Sequence, residues 1–153
     1  MTPDAPAETL AFRALALLVA CVAVNRCPDR AAARARMAAA VERIGRHVKA
    51  AKGYLGPDVR LVVLPEYFLT GYPLGESIAE WSDKTAMAPD GPEYAALARI
   101  AQDNDVFLSG NAYETDAAFP GLYFQASFVI DPSGQIVLRY RRLISMFAPT
   151  PHD

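Results

Sequence analysis

One carboxylate in the sequence stands in a setting suited to acid–base chemistry. Glu66 follows a short apolar run, residues 60–64, and a proline, and it opens a loop rich in aromatic residues, glycine and proline. Ligands of open α/β sheets gather at the carboxyl ends of strands, which is where this position places Glu66. The side chains of Tyr67 and Phe68 are expected to desolvate the carboxylate, as suits a general base. The alternative is a loop glutamate that only caps the next element, and position alone favours that alternative.

Other reactive side chains are few. Twelve of the fifteen basic residues are arginine, so a catalytic lysine has only three possible positions, Lys49, Lys52 and Lys84. We interpret Cys21 as a core residue, because free cysteine is commonly buried, and Cys27 as a loop thiol. No cysteine or histidine pair has metal-ligand spacing, and no phosphate-binding glycine loop occurs, so neither a metal nor a cofactor is expected.

The composition limits the partners of the protein. Fifteen basic and seventeen acidic residues leave a formal net charge of −2, which is too weak a field to attract nucleic acid or an anionic membrane. An apolar run at residues 14–24 is too short to span a bilayer and lacks the basic flank of a signal peptide. Two closely spaced cysteines are too few for a disulfide framework. The sequence therefore predicts a cytoplasmic protein without nucleic-acid or membrane partners.

The elements before Glu66 form a predicted βαβ unit. Residues 14–24 are interpreted as a buried parallel strand because the run is rich in β-branched and small apolar residues. A long amphipathic helix follows Asp29 and ends near Gly53, because one apolar stripe recurs at helical spacing in Met37, Val41, Ile44 and Val48. Residues 60–64 form the second strand, which completes an α/β arrangement with Glu66 at its end.

A second helix and a third strand are predicted after the Glu66 loop. Pro92 suits the first position of a helix, which reaches a polar stop at residues 103–105. Residues 106–111 then form the third strand. Trp81 lies between these elements and Glu66, in an acidic segment that is a candidate lid or rim over a pocket.

The last predicted element is a β-hairpin. Residues 123–130 and 135–140 are strand-like, and they flank Asp131-Pro132-Ser133-Gly134, whose proline and glycine positions favour a type I turn. This hairpin argues against an unrelated doubly wound domain of the flavodoxin or receiver type, because those folds join their strands through helices.

Several short motifs occur in a definite order. A strand ends in Pro65-Glu66, and Gly71-Tyr72 follows it. A helix that opens with Gly-Pro-Glu leads to a strand containing glycine, and the Asp131 hairpin comes next; the segments are 91–93, 109–111 and 130–134. Tyr140-Arg141-Arg142-Leu143 closes the series. Together these motifs, over residues 12 to 147, resemble the nitrilase superfamily of carbon–nitrogen hydrolases.

The resemblance implies an α-β-β-α sandwich with a site of one glutamate, one lysine and one cysteine. Glu66 takes the place of the glutamate that moves protons. Arg142 takes the place of the lysine, and it keeps the positive charge on a larger, planar group. The family's cysteine follows its lysine by some tens of residues, which lies beyond Asp153 here. By resemblance, the thiolate attacks a nitrile or amide carbon, and the resulting thioester is hydrolysed.

The resemblance also bears on how the chain is organised. We expect residues 1–11 to be a frayed leader and residues 12–153 to be the N-terminal portion of a carbon–nitrogen hydrolase domain whose C-terminal half is missing. Alone, the chain is expected to be inactive, and an uncovered sheet face predicts a homo-oligomer. The expected substrate is a small nitrile, amide or carbamoyl compound. The alternative is a non-catalytic nitrilase-like module for binding or oligomerisation.

Overall fold

Residues 11–142 are described by the computed structural model, and they form a five-stranded sheet with three helices. In chain order the elements are β1 (Arg13–Ala16), α1 (Arg30–Leu55), β2 (Val59–Val63), α2 (Ile78–Thr85), α3 (Pro92–Asn104), β3 (Phe107–Thr115), β4 (Tyr123–Ile130) and β5 (Ile136–Arg141). The strands lie side by side in chain order. β1, β2 and β3 are parallel, whereas β3, β4 and β5 are antiparallel. The antiparallel half excludes an all-parallel doubly wound sheet for this part of the chain.

The first strand is shorter and more exposed than predicted. β1 has four residues, none of them buried, and within the described sheet it pairs with β2 alone. The predicted strand at residues 14–24 is therefore wrong over most of its length. Beyond β1 the chain continues beside the segment that follows β2, and the Val24 amide donates to the Thr70 carbonyl at 2.9 Å. Val22 and Val24 are buried there, so the apolar run reflects these contacts as well as strand pairing.

The long helix forms as its apolar stripe predicts. Asp29 caps the N-terminus of α1, where its carboxylate accepts a hydrogen bond from the Ala32 amide at 2.8 Å. The helix ends at Leu55, two residues beyond the predicted stop, and Gly56 follows with a φ of 113°. All four predicted stripe residues, Met37, Val41, Ile44 and Val48, are buried. These four residues are most of the six residues that α1 buries in the core.

The short helix α2 was not predicted. It begins with a reciprocal capping box, in which the Ser77 hydroxyl accepts from the Glu80 amide and the Glu80 carboxylate accepts from the Ser77 amide. Trp81 lies in this helix and is fully buried, and its ring makes a T-shaped contact with Tyr113, with ring centroids 5.8 Å apart. Trp81 itself therefore packs into the core, while a lid or rim formed by the acidic segment that contains it stays a prediction.

The second half of the described chain agrees well with prediction. α3 begins at Pro92 and ends at Asn104, and Asp105 takes a left-handed conformation with a φ of 48°. β3 extends beyond the predicted strand, to Thr115. The hairpin turn closes through the Gly134 amide, which donates to the Asp131 carbonyl at 2.9 Å. No helix among residues 11–142 has both the length and the apolar character needed to cross a membrane.

The two faces of the sheet differ in burial. One face forms a continuous core with the helices, and Val62, Leu108, Phe128 and Ile130 are completely buried there. The register places six apolar residues together on the opposite side, which we call the outer face: Leu61, Val63, Phe107, Val129, Leu138 and Tyr140. Four of them are between 38% and 58% exposed. The outer face is thus an apolar surface that the described residues leave partly open.

A buried ion pair ties the hairpin to the core. Glu114 in β3 is completely buried, and its carboxylate accepts hydrogen bonds from the Tyr94 hydroxyl and from Arg139 Nε, the latter at 2.6 Å. Burial, reinforced by the neighbouring Glu114 carboxylate, raises the pKa of Tyr94, so the phenol keeps its proton and remains a donor. The three side chains connect α3, β3 and β5.

We expect the Arg139→Ala substitution to reduce the free energy of unfolding by about 3 kcal/mol at neutral pH, because it leaves the buried carboxylate without its cation. Urea unfolding followed by circular dichroism measures this loss. The matched control is Arg30→Ala, which breaks an ion pair with Asp83 in which both side chains are more than half exposed and is expected to cost less than about 1 kcal/mol. Equal losses in the two variants would contradict a special role for the buried pair.

Candidate active site

Glu66 lies at the carboxyl end of β2, as predicted. The Leu64 amide still pairs with Ser109 of β3 at 2.9 Å, and Pro65 then ends the pairing because it has no amide hydrogen. The chain turns immediately, and the Gly71 amide donates back to the Tyr67 carbonyl at 3.1 Å. Glu66 therefore opens a tight turn above the sheet edge.

The turn places the two aromatic residues after Glu66 differently. Phe68 is completely buried beneath the turn, against Gly110, where an added Cβ would lie 3.1 Å from the Phe68 ring and 2.6 Å from that of Phe128. Tyr67 is half-buried and has a φ of 57°, an uncommon conformation for a residue other than glycine. The Glu66 side chain is 55% exposed. The expected desolvation of Glu66 is therefore wrong for the described structure, because Phe68 turns away into the core.

Arg142 meets Glu66 although β3 and β4 lie between the strands that precede them, β5 and β2. It follows β5, and its amide donates to the Gln125 carbonyl in β4 at 2.8 Å, which continues the antiparallel pairing. Its guanidinium Nη1 lies 3.4 Å from Glu66 Oε1, although the two residues are 76 positions apart in the sequence. The Arg142 side chain is 37% exposed. The fold thus brings the two residues assigned by resemblance together, while their catalytic roles stay predictions.

Gln125 joins the same group and was missed by sequence analysis. Its side-chain Nε2 donates to Glu66 Oε1 at 2.7 Å, and its Oε1 accepts from Arg142 Nη1 at 3.1 Å. The Tyr67 hydroxyl also donates to Gln125 Oε1, at 3.4 Å. A signal was present in the sequence, since Gln125 is, with Ser127, one of two polar residues that interrupt the apolar and aromatic residues of β4, but only the strand register shows what it faces.

An aromatic cluster supports the turn from behind. Tyr67 stacks on Tyr113 with ring centres 5.9 Å apart, and Tyr123 contacts Tyr113 edge-on at 5.3 Å. Burial raises the pKa of Tyr113, and the neighbouring Tyr67 and Tyr123 hydroxyls add to the effect. The Tyr113 phenol therefore stays protonated at physiological pH and adds no charge beside Glu66.

The Gly71-Tyr72 segment is held by a second carboxylate. Asn25 Nδ2 donates to Glu76 Oε1 at 2.9 Å and to the Tyr72 carbonyl at 3.0 Å, while the Leu74 amide donates to Glu76 Oε2 at 2.7 Å. Burial acts to raise the pKa of Glu76, but these hydrogen bonds outweigh burial and hold the pKa below its usual range. These hydrogen bonds therefore stabilise the folded state fully above the pKa of the unfolded glutamate, and this stabilisation is lost as the pH falls through the lower pKa of the folded state. Glu76 thus fastens the loop at neutral pH.

No described hydrogen bond joins a cysteine or lysine side chain to Glu66 or Gln125. Cys21 is exposed, so its assignment to the core is wrong; its neighbours Val22 and Val24 are the residues that turn inward. Cys21 donates to the Tyr67 carbonyl, and Cys27 is half-buried. The described hydrogen bonds of Lys52 go to backbone carbonyls of Asn104 and Asp105. No cluster of potential metal ligands occurs within residues 11–142.

A cavity of about 780 Å³ lies away from the Glu66 group. It is lined by residues at the beginnings of β2 and β3, whereas Glu66 follows the end of β2; the lining includes Phe12, Pro57, Arg60, Leu61, Phe107 and Val129. Neither Glu66 nor Arg142 contributes to it. We regard this cavity as an apolar part of the outer face, because it contains none of the groups that could carry the chemistry.

Most of the chain matches the model of one known protein family. The model of the family described as Carbon-nitrogen hydrolase matches residues 18–152. A curated relative, cyanide hydratase from Neurospora crassa, is 28% identical over 93 residues, which cover 55% of this chain and 26% of the relative. The chain therefore spans about a quarter of the length of that relative.

Solved structures agree on the fold. Saccharomyces cerevisiae Nit3, a member of branch 10 of the nitrilase superfamily, superposes with a TM-score of 0.60 at 21% identity, over 71% of this chain and 40% of that one. A carbon-nitrogen hydrolase from Helicobacter pylori G27 gives a TM-score of 0.58 at 22% identity, over 87% of this chain and 40% of that one. Because the family's sequence pattern covers residues 18–152, most of the 153 residues, the chain belongs to the carbon-nitrogen hydrolase family.

Proposed function

We propose that the whole protein hydrolyses a non-peptide carbon–nitrogen bond in a nitrile, amide or carbamoyl substrate, and that residues 12–153 form the N-terminal portion of its hydrolase domain. The observation that supports this function is the meeting of Glu66 and Arg142 at 3.4 Å in a group open to solvent. A carboxylate beside the reacting atoms can move protons, and a fixed cation can stabilise a negatively charged intermediate.

In the proposed mechanism, Glu66 takes the proton of a cysteine thiol that another part of the whole protein supplies. The thiolate forms a bond to the substrate carbon, and the electron pair displaced from that carbon moves to its oxygen or nitrogen, where Arg142 stabilises the charge. Glu66 then returns the proton to the substrate nitrogen. With an amide, this nitrogen leaves directly as ammonia. With a nitrile, water first adds to the same carbon, and ammonia leaves afterwards. Water then cleaves the thioester, giving the acid and the free thiol.

A non-catalytic nitrilase-like module is the second candidate. Arg142 favours it, because a guanidinium is larger than the ammonium group of the family's lysine and does not give up its proton. The exposed apolar residues of the outer face also suit a protein that binds or assembles. The two candidates differ in one observable property, which is turnover.

The test is to isolate the protein from its native source, measure its intact mass, and assay ammonia release from nitriles, primary amides and carbamoyl compounds. The proposal expects a mass well above the 16.6 kDa of these 153 residues and ammonia release that thiol alkylation abolishes. A folded native protein that releases no ammonia from any of the three classes would support the non-catalytic module instead.

We also propose that the 153-residue chain on its own self-associates through the outer face, so that light scattering after size exclusion gives a mass above that of the monomer. Leu138→Glu should lower the measured mass, because it places a charge among the apolar residues of that face. The control is Tyr54→Glu, at a 90% exposed position at the end of α1. A monomeric parent chain that melts cooperatively at dilute concentration would contradict this proposal.

A further inference from the structure

Gln125 forms hydrogen bonds through its side chain with both Glu66 and Arg142. It lies in β4 between the buried residues Phe124 and Ala126, so its side chain extends from the opposite side of the strand. Its backbone carbonyl accepts the Arg142 amide at 2.8 Å, which fixes it directly beside the end of β5. From there its amide group contacts both members of the Glu66–Arg142 pair.

The neighbours of Gln125 determine which way its amide faces. The oxygen receives two donors, the Arg142 guanidinium and the Tyr67 hydroxyl, while the nitrogen faces the Glu66 carboxylate, which can only accept when ionised. The reverse orientation would set donors against donors and an oxygen against a carboxylate. Glutamine is therefore suited to this place in a way that glutamate is not, because glutamate has no hydrogen to give to Glu66.

We propose that Gln125 is the positioning residue of this site, which holds the Glu66 carboxylate in one orientation relative to Arg142 by donating to Glu66 Oε1. This inference rests on the proposed function, in which Glu66 is the general base. Both described hydrogen bonds to the carboxylate end on Oε1, so we assign proton transfer to Oε2. Gln125 thus acts through Glu66 and does not touch the substrate.

The first test uses the kinetics of the whole protein. Gln125→Ala should lower kcat by about 100-fold with little change in KM, since misplacing a catalytic group by about 1 Å costs a factor of this order. Gln125→Glu should move the acidic limb of the pH–rate profile to higher pH, because two adjacent carboxylates resist joint ionisation. The control is Gln102→Glu, which makes the same chemical change at an exposed residue of α3 bonded to the Ser133 carbonyl.

The second test does not depend on turnover. In ¹⁵N-labelled protein, the side-chain amide signals of Gln125 should respond to acid titration, and that response should disappear in Glu66→Gln while the Gln102 signals stay unchanged. This response without ammonia release would overturn the proposed function but leave the contact intact. An active protein whose Gln125 variants keep the parent kcat and pH profile, or whose Gln125 signals ignore Glu66→Gln, would overturn the positioning role alone.

Discussion

Replacing Glu66 by glutamine is expected to abolish ammonia release by the whole protein while leaving its fold intact. The substitution keeps the shape of the side chain but removes the group that accepts and returns the proton in the proposed mechanism, and general acid–base catalysis contributes about 10² to 10⁴ in rate. Since the Glu66 side chain is 55% exposed and contributes nothing to the core, we expect little change in the free energy of unfolding. Steady-state assays and thermal melts on the same samples measure both effects.

The matched control for Glu66→Gln is Glu42→Gln, the same change at an exposed position of α1. It should leave the rate unchanged. Turnover by a folded Glu66→Gln variant at the parent rate would show that Glu66 is not the general base. An equal loss of rate in the Glu42 control would point instead to a general effect of lowering the acidic charge.

The second large effect is expected at Arg142, where two substitutions separate charge from shape. Arg142→Ala should reduce kcat by about 10² to 10³, the usual cost of removing one group that stabilises an intermediate. Arg142→Lys introduces the lysine that the resemblance implies at this position and keeps the charge as a point ammonium, so we expect it to stay within about tenfold of the parent. The measurement is kcat and KM for each variant on the best substrate.

The control for Arg142 is Arg60→Ala, which removes an arginine from an exposed pair with Asp105 at the opposite end of β2. It should leave kcat unchanged. If Arg142→Ala retains the parent rate, Arg142 has no electrostatic role. If Arg142→Lys is as slow as Arg142→Ala, the site needs the planar guanidinium itself, and the equivalence with the family's lysine is wrong.

The parts of the fold that were predictable are those with a clear period or stop signal. The stripe of α1 and the proline at the start of α3 are local patterns, and local physics determines both elements. β1 was overestimated because an apolar run without a period does not show where strand pairing ends. The helix containing Trp81 was missed because it has only eight residues, although Ser77 and Glu80 carry its capping box.

The candidate site was predictable to a different degree. The position of Glu66 follows from one strand and one proline, so it could be placed from the sequence. The assignment of Arg142 depended on resemblance, because nothing local relates it to a residue 76 positions earlier. Placing Gln125 in the site required the register of β4 against β5, because a one-residue shift would have turned its side chain to the other face of the sheet. The exposure of Glu66 also depends on where Phe68 packs, which is a tertiary property.

The separation between Glu66 and Arg142 has a consequence for how the protein is made. Their contact closes a loop of 76 residues, and the contact between Gln125 and Arg142 closes one of 17. Contacts between distant residues form slowly, because the chain must lose loop entropy before it gains their energy. During synthesis α1 can form long before Arg142 leaves the ribosome, whereas the Glu66 group cannot exist until β5 has docked. The charged group is therefore among the last features to be completed in this part of the chain.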